Sequence, residues 1–216
     1  GNGLGGVVRL DAEGRYQAAT FNLRARNSVF DGPARLAIGS AIIDGRAVLY
    51  DQPYVVADVQ LADTRYADYR IAVARALIDY QNGTGKAKAL VEGSVGAPFR
   101  LAVNAQMTPA VWRVMLDGKS RGIAFKTETP ARIIPKNGTY ELLPTRIDLG
   151  QGNLKLAGTY GNGMKIQSRL ERVDLSIVNA FVPGYGIGGS ASGSLDFEQA
   201  SSTAFPRADA RLSLTN

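Results

Sequence analysis

The chain has 216 residues and a formal net charge of +6, from 25 Lys and Arg against 19 Asp and Glu. It contains neither cysteine nor histidine, which excludes a disulfide framework and a thiolate metal site and removes the usual general base, the commonest transition-metal ligand and the ordinary pH switch. The basic residues are scattered singly rather than gathered into a basic cluster, so no nucleic acid is expected as a partner in spite of the charge.

With 45% hydrophobic and 20% charged residues, the composition is that of a folded chain rather than a disordered one, and the length suits a single all-β unit over residues 1–216. No apolar run is long enough for a spanning helix and no signal-peptide pattern is present. The first residue is Gly1, and the expectation is a segment of a longer protein whose anchor lies elsewhere.

Turn signals punctuate the chain from the start: Glu13-Gly14, Asp31-Gly32, Asp44-Gly45, Asn82-Gly83, Asp117-Gly118, Asn137-Gly138 and Asn162-Gly163. In such pairs the glycine takes positive φ without steric cost, and Asn or Asp tolerates it, so each predicts a hairpin turn. Tyr66 to Tyr80 has spacings that also suit a helical stripe, but its β-branched and tyrosine content and the Asn82-Gly83 that follows favour strand. Leu101 to Met107 alternates apolar and polar residues. Val111 to Leu116 and Ile123 to Phe125 read as two strands joined by a turn at Gly118-Lys119-Ser120. Leu154-Lys155-Leu156, Met164 to Glu171 and Leu195-Asp196-Phe197 alternate in the same way, which predicts an antiparallel sheet with one wet face. One short helix is expected over Leu175 to Phe181, capped by Asp174 and ended by Pro183-Gly184. The spacing of turns implies about fifteen strands, mostly short. Small residues at apolar positions (Ala87, Ala89, Gly158, Ser168) favour an elongated open sheet over a filled barrel.

No catalytic pattern survives inspection. Residues 1–6 and 184–189 both spell the dinucleotide fingerprint, but neither sits between a strand and a helix. Gly118-Lys119-Ser120 resembles the end of a phosphate-binding loop, yet Arg113 stands where its first glycine belongs. Ser190 lacks the flanking glycines of a nucleophile elbow. Asp148, Glu171, Asp174 and Asp196 are isolated in sequence, and Trp112 reads as a sheet residue. A non-enzyme with no cofactor and no metal is expected.

Leu170 to Pro183, with its Asp174-Leu175-Ser176, resembles the short helix segment of the TamB family, the translocation and assembly module chains with the DUF490 region. The similarity continues through the Gly-rich Gly189 to Phe197, the Pro206 to Leu214 strand and, earlier, Gly93 to Leu101 and Pro130 to Ile133. It covers about residues 60–216 and leaves open whether residues 1–60 belong to the same surface. The resemblance implies a β-taco, a lengthwise-curled antiparallel sheet with an apolar inner groove, as in AsmA/TamB-like bridge-type lipid transfer proteins. It implies phospholipid transport between inner and outer membranes, outer-membrane protein assembly, or both. The partners would be phospholipid acyl chains or unfolded outer-membrane β-strands, with an outer-membrane barrel of the TamA type. The place would be the Gram-negative periplasm, within an inner-membrane-anchored envelope protein. Leu101, Val103, Met107, Leu154, Leu156, Met164, Ile166 and Leu170 are the candidate groove-lining residues. The competing expectation is a structural or adhesive β-module with a closed core.

Overall fold

Alternating apolar and polar side chains repeat along nearly the whole chain, and in the computed structural model they fold into β-strands, fifteen among the described residues. The structure describes residues 3–13, 16–31, 35–48, 54–120, 122–176, 188–201 and 203–215. All the strands pair antiparallel, as the sequence predicts. The chain divides into two compact units, Gly1–Thr108 and Pro109–Asn216.

The first unit is a meander of β1 (Gly3–Glu13), β2 (Tyr16–Phe30), β3 (Leu36–Val48), β4 (Tyr54–Tyr66), β5 (Tyr69–Gln81), β6 (Thr84–Val95) and β7 (Pro98–Met107), each paired with the next. Several of these strands are long rather than short, with 15 residues in β2 and 13 in each of β3, β4 and β5. Asn82 and Gly83, at φ +52° and +82°, make the expected hairpin turn. Asp44-Gly45 does not turn and lies inside β3. A Cβ on Gly45 would meet the Phe21 ring at 2.7 Å and the Val56 carbonyl oxygen at 2.6 Å, so the glycine gives the ring its room. Asp44 takes both guanidinium nitrogens of Arg24 at 2.9 Å.

The second unit contains β8 (Trp112–Ser120), β9 (Ile123–Thr127), β10 (Ala131–Lys136), β11 (Thr139–Asp148), β12 (Asn153–Tyr160), β13 (Met164–Asp174), β14 (Ser190–Gln199) and β15 (Arg207–Thr215). β10 to β15 pair in sequence order. β8 pairs with β10 through its first residues and with β9 through its last, and β11 does the same, so β9 and β10 lie end to end between them. The Leu116 amide donates to Thr127 Oγ1 at 3.0 Å where the two short strands meet. Asp117-Gly118 is again strand rather than turn, with Gly118 opposite Phe125. Asp174 Oδ1 accepts the Ser176 amide at 2.7 Å, the contact of a helix cap, and that bond holds its carboxyl below the usual carboxylate range. Residues 177–187 of the expected helix and its stop lie outside the described residues.

Burial separates these sheets from a filled sandwich. The buried apolar side chains among the described residues are Ala18, Ala25, Ala41, Val48 and Ala57 in the first unit and Ala131, Val173 and Ala191 in the second, with no Leu, Ile or Phe among them. Two packed sheets would bury large side chains between their inner faces. The two faces of one sheet nevertheless differ. In β5, Ala74, Ala76, Ile78 and Tyr80 are half-buried, whereas Leu77 on the other face is 55% exposed although it too is apolar. Chemistry does not explain that contrast; curvature does, with the first face concave.

Close backbone approach fixes some glycines. A Cβ on Gly158 in β12 would lie 2.1 Å from the Lys165 carbonyl oxygen. Gly158→Ala is expected to lower stability by about 1–3 kcal/mol in urea unfolding, whereas Gly5→Ala, which meets nothing within 4 Å, is expected to be neutral. On the convex face of the second unit the Lys155 ammonium donates to Glu171, which also lies 3.9 Å from Arg146. The bond from Lys155 holds the Glu171 carboxyl below its ordinary value of 4.5. The stabilisation is therefore complete above that value and is lost as pH falls through the lowered one. Urea midpoints measured across this range should fall with acidification, and Lys155→Met should flatten part of that dependence.

Candidate functional site: an uncharged sheet face

Residues directly opposite each other in an antiparallel pair point to the same side of the sheet, so the register assigns each residue to a face. In the first unit one face starts with Leu4, Val8 and Leu10 on β1 and continues through Phe21 and Leu23, Ile43, Val59 and Leu61, Ala76 and Ile78, Ala87 and Ala89, to Leu101 and Val103. In the second unit one face carries Trp112 and Val114, Ile133, Leu142 and Ile147, Leu154 and Leu156, Ile166 and Leu170, Leu195 and Phe197, then Leu212 and Leu214. No charged residue in the register of either unit occupies this face. Every one, from Arg9 and Asp44 to Lys155 and Arg211, falls on the other side.

Irregularities in the ladders preserve this segregation. An extra residue inserted into one strand shifts its register by one and would send every later side chain to the wrong face. Between Leu170 and Val173 the register shifts across Arg172, which is at φ +49°, and Val173 then stands opposite Ala191 on the uncharged side. A comparable shift between Leu142 and Thr145 returns Thr145 and Ile147 to the side of Leu156 and Leu154.

All eight sequence candidates lie on uncharged faces. Leu101, Val103 and Met107 stand opposite Val91, Ala89 and Gly85 in the first unit. In the second, Leu154 pairs with Leu170, Leu156 with Ser168, Ile166 with Gly158 and Met164 with Tyr160. Seven of these side chains are half-buried and Ile166 is 36% exposed, so none is sealed inside a core. The face also extends to β1, β2 and β3, so alternate residues of those strands share the surface of Leu101.

Sequence alone missed the aromatic margins. Tyr140 stands opposite both Pro135 and Tyr160, and its ring centroid lies 5.2 Å from that of Trp112. Tyr66 and Tyr69 face each other across the β4–β5 turn. The signal was present as paired aromatics flanking short turns, but which side they take depends on the register.

The other face is a lattice of ion pairs, including Arg24 with Asp44, Arg100 with Glu92 and Arg146 with Glu128. A depression of about 530 Å³ on that side of the first unit is lined by Asp44, Asp58, Leu77, Asp79, Lys86 and Lys88, without a nucleophile beside a base. Among the described residues no three His, Cys, Asp or Glu side chains gather as a metal site requires.

No protein-family model, no curated protein and no solved structure matches this chain.

An open apolar face in the native state binds a neutral solvatochromic dye. Nile red should brighten on the folded chain. Val103→Asn should reduce the signal, while Ala102→Asn, one residue away on the charged face, should leave it unchanged.

Proposed function

We propose that this chain is a segment of a TamB-like protein of the Gram-negative envelope that carries phospholipid acyl chains on its uncharged face, without chemistry, through the periplasm. One observation carries this reading: in each unit every charged residue paired in the cross-strand register lies off one face, and the Leu and Ile side chains of that face are half-buried or exposed rather than sealed.

The magnitudes suit a conduit. Each methylene removed from water contributes about 0.8 kcal/mol, so a long acyl chain is held by many small contacts and no single tight pocket is needed. Seven strands about 4.8 Å apart give the first unit an apolar surface roughly 29 Å across, more than the roughly 15 Å depth of one bilayer leaflet. An unfolded outer-membrane β-strand is the other cargo that the family resemblance suggests. Such strands alternate apolar and polar side chains, and an uncharged face leaves the polar half without partners, which favours the acyl chain. A closed structural or adhesive module would bury large side chains, and the small residues that are buried here count against it.

Ile166 faces the uncharged side opposite Gly158 and Phe197 and is reached by solvent, so an arginine there reaches water while placing charge in the path. Organic extracts of the purified chain, analysed by mass spectrometry, should contain phospholipid. Ile166→Arg or Leu156→Arg should lose most of it while keeping the β-sheet circular dichroism. Full retention of lipid in folded variants would overturn the assignment of this face.

A further inference from the structure

The uncharged face of the first unit ends along one margin in a row of side chains, all but the half-buried Leu36 exposed. Phe30 stands opposite Leu36, Leu36 opposite Tyr66, Tyr66 opposite Tyr69 and Tyr69 opposite Val95, so the row crosses β2 to β6 without a gap. Tyr66 and Tyr69 are each 52% exposed, Phe30 39% and Val95 38%. Tyrosine at an apolar boundary places its ring in the apolar phase and its hydroxyl in water, as it does at the surface of a bilayer.

Immediately beside this lip, on the charged side, Arg65 stands directly opposite Arg70. Like charges in that arrangement weaken a sheet. Neither guanidinium has an ion pair or hydrogen bond among the described residues, and Asp68 in the intervening turn engages neither of them. Arg24 and Arg100 on that side of the unit are neutralised, by Asp44 and Glu92; Arg9, Arg26 and Arg75 are in no ion pair among the described residues either, but none of them stands directly opposite another arginine. Two adjacent, unneutralised planar forks suit a tetrahedral oxyanion, which accepts from both and removes their repulsion. The arrangement recurs in the second unit, where Arg113 faces Arg132 beside Trp112 and Ile133, again without an ion pair.

We propose that Arg65 and Arg70, at the Tyr66 and Tyr69 lip, hold the phosphate of a glycerophospholipid whose acyl chains lie on the uncharged face. The inference rests on the acyl-chain reading above and adds to it the place where the headgroup is held, so that a neutral lipid of the same chain length is held less well.

The test compares binding of a fluorescent acyl-labelled phosphatidylglycerol with that of the diacylglycerol carrying the same acyl chains, by anisotropy on the full chain. The phosphatidylglycerol should bind about tenfold more tightly, as expected for charge-assisted hydrogen bonds. Arg65→Gln with Arg70→Gln should bring it down to the diacylglycerol value and leave diacylglycerol binding unchanged. Equal binding of the two lipids by the wild-type chain overturns the headgroup site while leaving the acyl-chain surface standing, and needs no variant to fold. A preference that persists in the folded double variant overturns it as well. Failure of the wild-type chain to bind either lipid overturns the acyl-chain reading, and the headgroup site with it.

Discussion

The structure depends on one constraint, the cross-strand register. A strand alternates its faces with a period of two, so a slip of one residue anywhere would carry lysines and aspartates onto the apolar side. In both units the ladders avoid this over many consecutive pairings. Lys155 meets Arg169 and Leu156 meets Ser168 on opposite faces of the same two strands. Where extra residues do enter, they are absorbed locally. Arg172, at positive φ, takes up the shift between Leu170 and Val173, and the uncharged face resumes beyond it.

Curvature follows from the side chains the register brings together. Small residues recur on the uncharged face, among them Ala87, Ala89, Gly158 and Ser168, and they let neighbouring strands crowd on that side. Large aliphatics between them, such as Ile78 and Leu101, are shielded by crowding rather than by a second layer, which leaves them half-buried. The convex face spreads its charges instead, where ion pairs such as Lys136 with Glu141 remain in water and contribute little individually. A surface of this kind exchanges the stability of a dry core for apolar area left open to solvent.

Much of the fold is legible in the sequence because its information is local. Alternation in Leu101 to Met107 and Met164 to Glu171 gives both the strands and their wet side, and Asn82-Gly83 and Asn137-Gly138 give turns because both residues reach positive φ. Asp44-Gly45 and Asp117-Gly118 mislead for the same local reason. Gly45 answers to the Phe21 ring on the neighbouring strand and Gly118 stands opposite Phe125, and nothing in either dipeptide reveals its cross-strand partner. The ambiguous Tyr66 to Tyr80 stretch is a strand end, a turn and a strand, and its Tyr66 and Tyr69 belong to the lip. The candidate residues were legible as alternating apolar positions. The lip and its arginine pairs were not, since they exist only once β2 to β6 are set side by side.

The most direct test of the uncharged face as the cargo surface is site-specific photo-crosslinking. The photoreactive amino acid benzoylphenylalanine would be placed at Val103 and Leu156, and at their neighbours Asn104 and Lys155 on the opposite face, with radiolabelled phospholipid vesicles supplied to each folded variant. Lipid adducts at positions 103 and 156, with none at 104 and 155, are the predicted result. Equal labelling of both faces, or labelling confined to positions 104 and 155, would contradict it.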